Sequence, residues 1–105
     1  MQLSLKETLT QLEKSQKPFI ELFKIDTVSV ELYKPTGKDY QQPHDRDEIY
    51  VITSGHGNFF HNEIKYEFNP GDLFFVPAFE PHRFEDFSSD FVTWVIFCSE
   101  IKGKK

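Results

Sequence analysis

The amino-acid sequence predicts an all-β fold, an antiparallel β-barrel preceded by one short helix. From Phe19 onward the apolar residues fall into short runs separated by turn residues, at a spacing of about ten residues per strand. The chain carries 12 Phe, 4 Tyr and 1 Trp in 105 residues, and aromatic side chains suit a half-buried pleated surface. No stretch between the runs has the length and periodicity of a crossover helix, which supports a sandwich or closed barrel over a parallel sheet.

The helix comes first. Ser4 and Glu7 stand at capping-box spacing, and Leu5, Leu9 and Leu12 follow at helical intervals, giving a helix over about residues 4–14 that Pro18 closes. The strand runs are Phe19 to Lys24, Val28 to Tyr33, Glu48 to Thr53, Gly57 to His61, Ile64 to Phe68, Leu73 to Val76, His82 to Phe84 and Phe91 to Cys98. Between them lie Pro35-Thr36-Gly37, Ser54-Gly55, Asn62-Glu63, Asn69-Pro70-Gly71-Asp72 and Ser88-Ser89-Asp90, all built from residues that favour turns. Eight strands suffice to close a barrel and remove its edges. Residues 1–105 read as one domain, with the barrel over about 19–99 and a solvated tail at 102–105.

A net charge of −5 argues against nucleic acid and anionic membranes as partners, because both are recognised through clustered Lys and Arg. No apolar run approaches the roughly 20 residues needed to span a bilayer. A single cysteine, Cys98, allows no intrachain disulfide, and the N-terminus lacks the apolar run of a signal peptide, so the expected compartment is the cytoplasm. Phe91 to Cys98 and Leu73 to Val76 are apolar on both faces, whereas a barrel interior accounts for one; a homodimer is expected.

Gln42, His44 and Glu48 share a short window, and His82 follows Pro81 far along the chain. On an extended segment Gln42 and His44 point to one face, and Glu48, Tyr50 and Ile52 share another. Two imidazoles and a carboxylate can hold Fe(II), Mn(II), Ni(II) or Zn(II) with coordination positions left open. A carboxylate inside an aromatic barrel costs several kcal/mol unless compensated, and a divalent cation compensates it. The alternative is a buried hydrogen-bonded cluster without metal.

These residues also resemble a family. Gln42-x-His44-x3-Glu48-x6-Gly55 is similar to the first cupin motif, which usually begins with histidine where this chain has Gln42. Gly71-x5-Pro77-x-Phe79-x2-His82-x3-Asp86 is similar to the second, with Phe79 in place of glycine and Asp86 in place of asparagine. The 15 residues from His56 to Pro70 resemble the family's shortest spacing between motifs. The resemblance implies a double-stranded β-helix, or jelly roll, with metal-ligand status for His44, Glu48 and His82. It extends to Gln42 as a weaker fourth ligand or a hydrogen-bonding group, as an equivalent Gln-x-His pairing does in phosphomannose isomerases. Tyr50 and Phe84 each lie two residues from an expected ligand and are the expected walls of a substrate pocket in the barrel interior.

The remaining candidates are weaker. His56 and His61 have no partner at ligand spacing. Asp45-Arg46-Asp47 reads as a solvated loop, and Cys98 as a small buried apolar residue without a base to activate it. Two functions are compatible with these residues: a metal-dependent enzyme of oxygenase or isomerase type acting on a small polar molecule, or a binding or sensing module without turnover.

Overall fold

The computed structural model describes residues 1–103; Lys104 and Lys105, the end of the expected tail, lie outside the described residues. The order is helix α1 (Leu5–Ser15), then β1 (Phe19–Ile25), β2 (Val28–Tyr33), β3 (Glu48–Ser54), β4 (Gly57–His61), β5 (Ile64–Phe68), β6 (Leu73–Val76), β7 (His82–Glu85) and β8 (Val92–Phe97). The Ser4 hydroxyl accepts the Glu7 N–H at 3.2 Å and caps α1, whose other end closes at Gln16 in the left-handed conformation. Leu5, Leu9 and Leu12 pack on Ile20, Leu22, Leu32, Val92 and Trp94, which holds the helix outside the larger sheet. Full burial of a side chain such as Leu12 contributes about 2 kcal/mol.

The strands form two antiparallel sheets, a five-stranded one in the order β1-β2-β8-β3-β6 and a three-stranded one in the order β5-β4-β7. Complete hydrogen-bonded closure, expected from the strand count, is not what the described residues show: the sheets face each other as a sandwich. Side chains join them. Tyr50, Ile52 and Val95 from the large sheet meet Phe59, Phe68 and Phe84 from the small one, and Phe91 packs beneath. Phe84 stands edge-on to Tyr50 and Phe68, with centroids 5.0 and 5.5 Å apart.

Beside β7, where the small sheet lacks a strand, irregular backbone from the β2–β3 connection fills the gap. The Phe84 N–H donates to Asp39 Oδ2 at 2.9 Å, and the Phe79 N–H donates to the His44 carbonyl at 2.7 Å. Arg46 is not on a solvated loop. Its guanidinium donates to the Ser99 and Thr27 carbonyls and to Ser29 Oγ, and it lies over Phe97. Asp47 Oδ1 accepts the Ala78 N–H, so this charge run ties the β2–β3 connection to the β1–β2 turn, the β6–β7 connection and the segment after β8.

Gly55, at φ +87°, leads β3 into β4 against the backbone of Phe91, and a Cβ there would stand 2.5 Å from Phe91 Cα. Backbone cannot swing aside as a side chain can. Gly55→Ala should therefore lower unfolding stability by about 2 kcal/mol or more. Gly71→Ala, also at positive φ but in open space, should cost less; comparative denaturant melts of the two variants check the ranking.

Candidate functional site

Period-two alternation along β3 turns Glu48, Tyr50 and Ile52 inward, and on β7 it turns His82 and Phe84 inward toward them. His44 comes from the connection just before β3. The side chains of His44, Glu48 and His82 offer donor atoms that all lie within 4.8 Å of one another. His82 Nε2 is 2.9 Å from Glu48 Oε1, and His44 Nε2 is 3.9 Å from Glu48 Oε2. Two ligands opposite each other on a metal at bonds of about 2.1 Å stand about 4.2 Å apart. The group is thus a few tenths of an ångström wider than a closed site, and His44 is its most exposed member.

The electrostatics centre on Glu48, which is 1% exposed. Neither carboxylate oxygen receives a well-formed hydrogen bond among the described residues. The 2.9 Å approach of His82 Nε2 therefore counts as an ion pair that needs a proton on the ring. For His82, burial alone would lower the proton affinity, but the interaction with Glu48 and the bond to the Glu80 carbonyl outweigh it and raise the pKa. That second bond, Nδ1 to Glu80 O at 2.9 Å, aims Nε2 at Glu48. A proton or a divalent cation between the imidazoles answers the same uncompensated charge. The donor set, two nitrogens and a hard oxygen, fits first-row divalent metals.

Two further groups complete the surroundings. The Tyr50 hydroxyl lies 3.0 Å from His82 Nε2 and donates to Gln41 Oε1 at 2.8 Å; burial and the carboxylates of Glu48 and Asp39 hold its phenol well above the ordinary pKa. Gln41 Oε1 is also 3.3 Å from His44 Nε2. The expected Gln42 is exposed, and its neighbour Gln41 turns inward instead. The alternation that singled out Gln42 holds on strands, and residues 39–44 are irregular backbone. Sequence reasoning missed Gln41 for that reason, and missed Asp39, whose buried carboxylate anchors it. Asp39 followed by a polar residue two positions on, in a segment flanked by Gly37 and Pro43, was the available signal for a local side-chain turn.

The pocket also differs from expectation. Phe84 sits within the aromatic core and Tyr50 reaches the site only through its hydroxyl, because aromatic rings fill the interior. A cleft of about 810 Å³ opens instead beside β2 and β8, with Tyr33, Gln41, His44, Val95 and Phe97 at its inner end and α1 along its outer wall. His61 bonds Glu80 Oε1 at 2.7 Å and stands opposite His82 in the strand pairing, outside the donor group. Burial, with Asp47 nearby, pushes the Cys98 thiol up, which disfavours a nucleophile.

A family model described as a cupin domain matches residues 29–97. The chain belongs to the cupin family. No curated protein matches the sequence. Among solved structures, this cupin is similar to a provisionally named mannose-6-phosphate isomerase from Ralstonia eutropha JMP134, at 24% identity over 78% of this chain and 83% of that one, TM-score 0.59. It is similar to KdgF from Halomonas sp., at 16% identity over 78% and 77% of the two chains, TM-score 0.68. It is also similar to the DMSP lyase DddQ from Ruegeria pomeroyi DSS-3, at 24% identity and TM-score 0.64, covering 76% of this chain and 42% of that one. At these identities the likeness concerns the fold. The cupin's departures from the motifs have a visible setting: Phe79 and Asp86 adopt φ of 68° and 52°, the left-handed region that glycine and asparagine tolerate best.

Glu31 lines the cleft from β2 and faces Glu21 across the β1–β2 pair. Burial, then Glu21 and Glu48, raise its pKa from the ordinary 4.5 to about 7, with Arg46 opposing. Between those values the folded chain holds a proton that the unfolded chain has released, so stability falls as pH rises through that window. Glu31→Gln should flatten the slope from pH 4.5 to 7. It should also stabilise the cupin at pH 8 by about 1 kcal/mol, after discounting for a partly exposed group; thermal melts at several pH values read both effects.

Proposed function

We propose that this cupin binds one divalent metal ion through His44, Glu48 and His82 and is a metal-dependent enzyme acting on a small polar molecule. One observation carries the reading: two imidazoles converge on a fully buried carboxylate, Glu48, neither of whose oxygens receives a well-formed hydrogen bond among the described residues. A charge left so is costly, and a bound cation compensates it. When bound, such an ion supplies Lewis acidity and open coordination positions, as in oxygenases and isomerases.

The chain's own residues prepare the site for a small ligand. The cleft leads to His44 and Gln41, Val95 and Phe97 offer apolar contact, and Tyr50 presents a neutral hydroxyl beside the donors. The similar structures include a provisionally named mannose-6-phosphate isomerase and a DMSP lyase, which supports a polar small molecule as substrate.

Elemental analysis of protein purified without added metal tests the reading. About one equivalent of Fe, Mn, Ni or Zn is expected in the wild type and none in His82→Ala, because losing one imidazole of three ligands removes the set's convergence. Stoichiometric metal retained in His82→Ala, or a wild type that takes up none of these ions on titration, would defeat it.

The cupin is further proposed to be a homodimer. On β6, Phe74 and Val76 turn inward while Leu73 and Phe75 remain 59% and 51% exposed, and Ile49, Val51 and Ile96 continue this apolar outer face on β3 and β8. Light scattering at micromolar concentration should report a dimer for the wild type and a monomer for Phe75→Lys, with metal content unchanged.

A further inference from the structure

Gln41 has one side-chain amide, with a donor end and an acceptor end, and the structure fixes which end faces the site. Asp39 Oδ2 accepts the Gln41 Nε2–H at 2.8 Å, and Asp39 Oδ1 accepts the Gln41 backbone N–H at 3.1 Å. One carboxyl group thus grips both the main chain and the side chain of Gln41. Reversing the amide would set its oxygen against a carboxylate oxygen, two acceptors face to face. The oxygen is left pointing the other way, 3.3 Å from His44 Nε2 and 2.8 Å from the Tyr50 hydroxyl.

Asp39 is itself immobilised. It is 6% exposed, the Tyr33 hydroxyl donates to Oδ1, and the Phe84 N–H donates to Oδ2. Tyr33 belongs to the large sheet and Phe84 to the small one, so the orientation of the Gln41 oxygen is referenced to both layers. Gln42, by contrast, is exposed.

We infer that the amide oxygen of Gln41 is a fourth metal donor beside His44, Glu48 and His82, and that Asp39 is the positioning residue that holds it there. This rests on the metal-binding reading above. A neutral, hard oxygen next to two imidazoles and a carboxylate preserves the site's net charge while completing a four-donor set. Its orientation is set before any ion arrives, which reduces the ordering cost of binding.

The test is titration of the metal-free protein with Co(II), followed by visible absorption, and with Zn(II), followed by calorimetry. Wild type, Gln41→Ala, Gln42→Ala, Asp39→Asn and the Asp39→Asn/Gln41→Ala double variant are compared. Gln41→Ala should weaken binding about tenfold or more and alter the Co(II) spectrum, because a protein oxygen is lost from the coordination sphere. Gln42→Ala should match wild type in both readouts. Asp39→Asn should alter the spectrum in the same direction, and the double variant should lose no more affinity than Gln41→Ala, since a residue acting through Gln41 has nothing left to position. A merely structural Asp39 would lower the melting temperature and leave the spectrum as in wild type.

If Asp39→Asn does not fold, Tyr33→Phe, which removes one bond to Asp39, serves in its place with a smaller shift expected. A wild-type protein that binds metal with Gln41→Ala indistinguishable from it would overturn this inference alone. A wild type that binds neither Co(II) nor Zn(II) would overturn the metal-binding reading and this inference with it.

Discussion

The organisation of the molecule turns on one constraint, the burial of the Glu48 carboxylate between two sheets of aromatic side chains. Glu48 is as inaccessible as the phenylalanines around it, yet it cannot be satisfied by them. Every polar group that reaches the interior near it does so with a fixed direction. His82 is aimed by the Glu80 carbonyl, and Tyr50 by the same strand that carries Glu48. The aromatic packing that makes the charge expensive also makes the positions of its neighbours rigid.

The same constraint gives the β2–β3 connection its weight. A regular strand there would have closed the small sheet, but its side chains would alternate strictly between inside and outside. Irregular backbone escapes that alternation and delivers Asp39, Gln41 and His44 to the interior within a few residues. Its N–H and C=O groups must then be satisfied by other means. Asp39 Oδ1 accepts the Gln41 N–H, the Asp47 N–H donates to Ser99 Oγ, and the Asp47 carbonyl accepts the Cys98 N–H.

Most of the architecture was legible in the sequence because it follows from period-two burial and turn chemistry. Val28–Tyr33, Gly57–His61, Ile64–Phe68 and Leu73–Val76 have the boundaries that the apolar runs imply, and the helix lies within one residue of expectation. His44, Glu48 and His82 were legible as a set through the resemblance to the two cupin motifs, and period-two alternation accounts for the inward direction of the two that lie on strands. Gln41 and Asp39 were not, since side-chain direction in an irregular segment depends on which long-range bonds hold it. The identity of the cleft was equally hidden. Tyr50 and Phe84 do share a face with the donors, but whether a face lines space or packs solid depends on the sum of opposing volumes, which no single strand records. Closure was over-read as well: strand count permits a barrel without dictating that every edge be hydrogen-bonded.

The cleft is walled in part by Leu12, Glu13, Gln16, Lys17, Pro18 and Phe19, all of which precede the span 29–97 that the family shares. The donors lie inside that span. The cleft thus draws one wall from residues that the family model does not match and the rest, including Tyr33, Gln41 and His44, from residues that it does. Helix and first strand therefore shape one side of an opening whose far side holds His44, so the outline of that opening and the placement of the donors are set by different stretches of the chain.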